Sequence, residues 1–367
     1  VIDARAAVLF EAGADPALTD VVLRPPVGEE VLVRIDAVGI CHTDISVAAR
    51  WPARRLPMVF GHEGAGTVVA TGPQAELRGG QPVVLTFASC GRCPYCVTGR
   101  PAYCESSTDH NMRGDGAGES SALRLDGHPI AGGFFGQSSL ATYAIARQGN
   151  AVSIDDGLEP ALAAPLGCSV QTGVGTVLNA LAVRPEDTVV VFGAGAVGLS
   201  AVMGARIAGC RTIVAVDPVP QRRDLAIDLG ATAAVDPSAG DVTAAVRELT
   251  GGGAHAAVDT TAVPEVLTTA LTVLRPRGAL ALVGLGAPRR TATGRADHGP
   301  RTDRAGSRRR RQRTAHVHPA ARGPRQGRRT AARAARHHLR VRGFRRRLVS
   351  RQDRPGNKAG PGQRQLS

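Results

Sequence analysis

The chain has one lysine, Lys358, and nowhere reaches the ~18 consecutive apolar residues that a membrane-spanning helix needs. Its first residues lack the basic segment followed by an apolar run that marks a secretory leader. These absences point to a soluble protein of the cytoplasm with no membrane partner. The seven cysteines, Cys41, Cys90, Cys93, Cys96, Cys104, Cys168 and Cys210, are odd in number and cluster at short spacings. A disulfide framework would scatter them, so metal ligation in a reducing compartment fits better. At 367 residues the chain can supply two cores and needs no cross-links.

The formal net charge of +14 would suggest a nucleic-acid partner if it were spread evenly. Residues 288–367, however, hold 25 of the 45 basic residues against three acids, Asp297, Asp303 and Asp353, and so carry +22 while the rest carries −8. An acidic body bears a basic appendage. The appendage has seven large apolar residues in eighty and is dominated by Arg, Ala, Gly and Pro. It cannot bury enough surface to offset its ordering entropy, so 288–367 reads as a non-globular tail. Either it is a basic arm that binds nucleic acid, or it is a shifted reading frame in a GC-rich gene. Loss of every core pattern at one point, in mid-domain, favours the shifted frame.

Up to about residue 150, short β-branched runs (31–35, 66–70, 83–86) alternate with Gly- and Pro-rich turns, as in a small β-barrel with long loops. From Thr188 the pattern becomes continuous apolar runs separated by helical periods, the mark of βαβ units around a buried parallel sheet. Five strands are predicted: 188–192, 212–216, 233–235, 256–260 and 279–283. A doubly wound dinucleotide domain normally has six, and the one due after Gly286 is missing.

Gly193-Ala-Gly195-Ala-Val197-Gly198 directly follows the first of these strands and opens a helical stretch, 196–208. In that context the glycines permit a tight turn and close main-chain approach, so that a pyrophosphate sits on the helix N-terminus. Asp217, at the end of the next strand, is placed to accept hydrogen bonds from the adenosine ribose and to repel a 2′-phosphate, which favours NAD over NADP. Arg222 and Arg223 lie close enough to soften that preference, or are solvated helix residues. Cys90-x2-Cys93-x2-Cys96-x7-Cys104 lets one compact loop wrap a tetrahedral ion with four sulfurs, which leaves no open position and makes the zinc structural.

Cys41 in Gly-Ile-Cys-His-Thr-Asp, His62 in Gly-His-Glu-Gly-Ala-Gly and Cys168 in Pro-Leu-Gly-Cys-Ser are weak signals singly. Together with the four-cysteine lobe and the glycine fingerprint, in this order, they resemble the zinc-dependent medium-chain alcohol dehydrogenases. The resemblance implies an α/β chain made of a GroES-like β-barrel catalytic domain (1–160, with a structural-zinc lobe at 90–104), a Rossmann NAD-binding domain (161–287) lacking its last strand, and the tail. It implies two zinc ions per chain, the second held by Cys41, His62 and Cys168 with its fourth position open.

By the same resemblance Asp44 orients His62, Glu63 lies behind the metal, and Thr43 takes the alcohol proton. Many relatives continue that relay through a His where this chain has Ser46, so Ser46 with water is the substitute. The cofactor set would be His42 near the pyrophosphate, Thr172 at the nicotinamide, Gly193, Gly195, Val197, Gly198, Asp217, Arg222, and the main chain at Val283 by the carboxamide.

Gly132-Gly-Phe134-Phe135-Gly136-Gln137-Ser138-Ser139, followed by Ala141-Thr142-Tyr143, is similar to the aryl (benzyl) and allylic alcohol branch. Phe87, Trp51 and Phe135 are candidate pocket walls or simply core. The implied reaction is NAD-linked oxidation of a primary aromatic or allylic alcohol to its aldehyde, through an alkoxide at zinc and hydride transfer. The partners would be the small-molecule alcohol or aldehyde and, with an intact C-terminus, further copies of the chain. Polyols, aliphatic alcohols and hydroxymethylglutathione are the competing substrates. An inactive truncated homologue and a zinc-ribbon nucleic-acid binder are the competing classes. Against the last, residues 86–110 set only Arg92 and Arg100 against Glu105 and Asp109.

Overall fold

The first 153 residues form ten strands, of which that at Tyr143–Arg147 alternates inward and outward side chains while those at Glu63–Thr71 and Pro82–Leu85 are buried over most of their length. The ten are β1 (Ile2–Leu9), β2 (Ala17–Leu23), β3 (Glu30–Gly39), β4 (Met58–Val59), β5 (Glu63–Thr71), β6 (Pro82–Leu85), β7 (Leu123–Leu125), β8 (His128–Ile130), β9 (Tyr143–Arg147) and β10 (Ala151–Ser153). The computed structural model describes residues 1–114 and 121–285, together with the main chain of one strand at 313–316. The ten strands form two five-stranded sheets, ordered β4-β1-β2-β7-β8 and β10-β6-β5-β3-β9, with antiparallel pairing along each ladder. Val8, Val21, Leu23 and Leu32 fill one core between them, and Val31, Val33, Val68 and Leu85 a second.

The second half is a parallel sheet of β11 (Thr188–Phe192), β12 (Thr212–Val216), β13 (Ala233–Val235), β14 (Ala254–Asp259), β15 (Leu274–Leu282) and β16 (Arg313–His316). Their order is 13-12-11-14-15-16. The order reverses between β11 and β14, and in such sheets ligands bind at that crevice, beyond the carboxyl ends of the strands. The first three of these strands match the sequence expectation residue for residue. Two begin earlier than predicted. A register shift between Ala254 and Ala256 hides the start of β14 from a simple pattern, and Pro276 and Gly278 inside β15 read as a turn.

The largest difference is at the sheet edge, where the sequence reading leaves the last strand out. The apolar strand expected after Gly286 is replaced by Arg313–His316, which pairs in parallel with Ala279–Leu282. A ladder is made of main-chain N–H and C=O groups, so a segment without an apolar pattern can still occupy the position. The rest of the tail and the predicted 288 boundary lie outside the described residues. Among the described residues no single helix is long and apolar enough to cross a membrane.

Two helices join the halves. Helix Ser169–Gly175 starts immediately after Cys168 and crosses helix Ala196–Ile207 at close range. A Cβ on Gly173 would overlap the carbonyl of Val197 and the main chain of Ala201, and one on Gly204 would press on Val174. On its other side Gly167 lies against the Leu85 carbonyl of β6. Cys168 is thereby held at the junction of barrel and sheet.

Candidate metal and cofactor site

Cys41 is the N-cap of helix His42–Ala48, which brings Asp44 one turn in. The Asp44 carboxylate is buried and has three partners: Oδ2 accepts the Cys41 N–H at 3.0 Å, while Oδ1 accepts the Gly61 N–H at 3.2 Å and faces His62 Nδ1 at 2.8 Å. Against that carboxylate Nδ1 keeps its proton, which leaves Nε2 as the nitrogen that could ligate a metal. His62 Nε2 is buried and has no hydrogen-bond partner. The donor atoms of Cys41, His62, Glu63 and Cys168 all lie within 4.8 Å of one another.

Two sulfurs and an imidazole nitrogen at this spacing suit a tetrahedral divalent ion with one position left for another ligand. An orphaned buried nitrogen aimed into such a group costs stability unless something accepts it, so the residues fit a metal. The charges agree. The hydrogen bond from Cys168 holds Cys41 down to about 3, and the same contact, with burial, pushes Cys168 well above the usual thiol range. Burial disfavours the charged form of His62, yet the hydrogen bond to Asp44 and the Cys41 charge beside it raise it to about 10. Cys41 thus gives a cation one thiolate to bind.

Glu63 sits behind this group. Its Oε1 accepts the Ser169 hydroxyl at 2.6 Å and the Ser169 N–H at 3.2 Å, and Gly39 leaves the room its carboxyl occupies. Burial, helped by the Cys41 charge, pushes the carboxyl up to about 7. Thr43 and Ser46 are half-buried, three residues apart in one helix, and so share a face. His42 is exposed beside them.

The second cluster, Cys90, Cys93, Cys96 and Cys104, also has all four sulfurs within 4.8 Å. Main-chain N–H groups of Arg92 and Cys93 hold Cys90 down to about 6, while burial raises Cys96 to about 12. Amides pointing at sulfur, such as Cys90 N–H on Cys104 Sγ at 3.3 Å, are what thiolate ligands require.

At the crevice, Gly193 has φ of 85°, which favours glycine, and Gly198 passes so near the Gly193 carbonyl that a Cβ would overlap it. Gly195 caps helix Ala196–Ile207, whose first turn, with Val197, offers free N–H groups. Asp217, directly after β12, is buried, its Oδ2 accepting the Ala194 N–H at 2.7 Å and its Oδ1 the Val219 N–H at 2.8 Å. Arg222 approaches it at 3.6 Å. Thr172 has a buried hydroxyl without a partner, one turn after Cys168. Val283, just past β15, donates its N–H to the Asp259 carbonyl.

Residues 28–156 match the alcohol dehydrogenase GroES-like domain and residues 196–301 the zinc-binding dehydrogenase domain. A geraniol dehydrogenase of Castellaniella defragrans is 45% identical over 297 residues, 78% of this chain and 78% of the relative. The chain belongs to the zinc-binding alcohol dehydrogenase family. As a member it is an oxidoreductase, built as a GroES-like domain plus a Rossmann-type sheet. The benzyl alcohol dehydrogenase of Acinetobacter calcoaceticus, a crystal structure, is 41% identical with a TM-score of 0.73, covering 81% of each chain. A zinc-binding dehydrogenase of Sinorhizobium meliloti, solved bound to NADP, is 25% identical with a TM-score of 0.69, covering 93% of this chain and 91% of that one.

For this dehydrogenase the sequence reading named both cysteine groups, and the fold brings each together. The three aromatic candidates part company. Trp51 is core, edge-on to Phe60 and Phe134 with centroids 5.2 and 6.3 Å away. Phe87 is also buried. Phe135 stacks on His62, with centroids 4.6 Å apart and planes 27° apart. Sequence reasoning missed Ser169 and Gln137, the partners of Glu63 and of the His62 main chain. The only signal was a lone amide set in a run of Phe, Gly and Ser.

Proposed function

We propose that this chain oxidises a primary aromatic or allylic alcohol to its aldehyde with NAD, using two zinc ions. The observation that carries the reading is the convergence of Cys41, His62 and Cys168 on one point, with His62 Nε2 unpartnered. Relatives named for benzyl alcohol and for geraniol, an allylic alcohol, support the substrate class. Zinc held by those three residues would supply a Lewis acid, and the nicotinamide a hydride acceptor. The chain's own residues do the rest. Thr43 accepts the alcohol proton and Ser46, on the same helical face, passes it towards solvent. Thr172 and Val283 orient the nicotinamide. The N-terminus of helix Ala196–Ile207 holds the pyrophosphate, and Asp217 binds the ribose and selects NAD. The carbon loses a hydride and the oxygen a proton, which balances RCH2OH and NAD+ against RCHO, NADH and H+.

The test is turnover of benzyl alcohol and geraniol with NAD against NADP, beside sorbitol and hydroxymethylglutathione. Preference for either of the last two would sink the substrate assignment, and equal use of NADP would sink the role of Asp217. Asp44→Asn is expected to weaken zinc affinity at the three-ligand centre by roughly 10- to 100-fold, because one face of the new amide turns an N–H on existing donors. Competition with a chelator of known affinity measures it.

A further inference from the structure

We infer that the turn 133–139 is a clamp fixing the candidate ligand His62, with the buried Gln137 amide as positioning residue and the Phe135 ring setting the imidazole plane. The inference rests on His62 being a zinc ligand. Gln137 is 2% exposed, and every polar atom of its side chain is used on main chain. Its Oε1 accepts the Gly64 N–H at 3.2 Å, and its Nε2 donates to the carbonyls of His62 at 3.0 Å and Thr86 at 3.4 Å. The first two groups flank Glu63, so one side chain from more than 70 residues away holds both ends of the step that carries the ligand. Its third partner leads to Cys168: the Thr86 hydroxyl donates to the carbonyl of Gly167, the preceding residue, at 3.0 Å.

The ring is held separately. Asp44 meets Nδ1 at the edge, and Phe135 covers one face at 4.6 Å. Delivering an amide and a ring to the same histidine requires an unusual turn. Phe135 and Ser138 have φ of 52° and 49°, a left-handed conformation that side chains rarely adopt. The turn is pinned by the Ser138 hydroxyl donating to the Val59 carbonyl at 2.6 Å and by Asn150 Nδ2 donating to the Gly136 carbonyl at 3.1 Å. It lies so close to the ligand strand that a Cβ on Gly64 would come within 2.6 Å of Ser139 Cβ. Gly61 and Gly64 bracket His62 because the clamp fills the space their side chains would need.

Gln137→Met keeps the length and removes the amide; Phe135→Leu removes the ring and leaves the main-chain bonds in place. Both are read in the full zinc-loaded chain by the rate of zinc transfer to a chromophoric chelator, with the four-cysteine lobe as internal control. The phase that His62→Ala abolishes is expected to accelerate by about 10- to 100-fold in each variant, as for other partners of metal ligands, while the second phase changes less than about twofold. With cobalt in place of zinc, the visible absorption band of the three-ligand centre should shift in position or intensity. Unchanged release from that centre, or equal acceleration of both phases, would make Gln137 a structural residue only and overturn the clamp. If Gln137→Met does not fold, Phe135→Leu decides the same question. A wild-type chain that holds zinc only in the four-cysteine lobe would overturn the zinc reading and the clamp together. Two zincs with no effect of either substitution would overturn the clamp alone.

Discussion

His62→Ala is expected to give a folded chain that binds one zinc ion where the wild type binds two, and whose kcat/KM for alcohol falls by at least ~10^3. The loss of metal follows from geometry. The imidazole is one of three donors, and without it only the sulfurs of Cys41 and Cys168 remain, with Glu63 close behind. Asp44 would keep only its two main-chain partners, Cys41 and Gly61. Folding should survive, because the rings His62 packs on, Phe134 and Phe135, lie outside the two main apolar clusters of the barrel and those of the parallel sheet. Metal content by atomic emission and steady-state kinetics check both halves. Activity within tenfold of wild type would mean that the chemistry is elsewhere.

Cys93→Ser should remove the other zinc and disorder the lobe while leaving the three-ligand centre loaded. The lobe has little else to hold it. Its helix Pro94–Val97 is four residues long with none of them buried, and Tyr95, Val97 and Tyr103 are 43%, 68% and 44% exposed. Burial is confined to Cys93, Pro101, Ala102 and Cys104. Zinc binding to four thiolates in small peptides is worth about 10–16 kcal/mol, far more than such a core could supply, and a serine hydroxyl is a poor replacement for a thiolate. Trypsin cleavage after Arg92 should quicken by on the order of tenfold or more as the segment opens. Wild-type cleavage rates in the variant would show that the lobe folds without its ion.

What the sequence disclosed divides by range. Cys90 to Cys104 and Gly193 to Gly198 are local: spacing within one loop or one strand-to-helix turn determines the geometry, and the fold sets the four sulfurs together and the glycines at the start of one helix. The strands at 188–192 and 212–216 were legible because buried parallel strands are continuous apolar runs. Long-range polar contacts left no such trace. Ser169 reaches Glu63 across 106 positions and Gln137 reaches Gly64 across 73, and neither pairing has a period or a spacing to detect. Trp51 and Phe135 show the same limit for rings: both are aromatic residues near the motifs, but only packing distinguishes a core residue from one stacked on His62. Strand β16 escaped because composition measures side chains, whereas pairing at a sheet edge uses the main chain.

The position of Cys168 gives the metal centre a mechanical meaning. Cys41 and His62 belong to the barrel, but Cys168 is the hinge pin's other end: the turn before it rests on β6, and the helix after it is locked by Gly173 to the helix that opens at the glycine fingerprint. An ion held by all three would rivet one half of the molecule to the other. With an ion held by all three residues, a motion that parted the two halves near Cys168 would have to strain a metal–sulfur bond, which would make Cys168 a fixed point of the crevice.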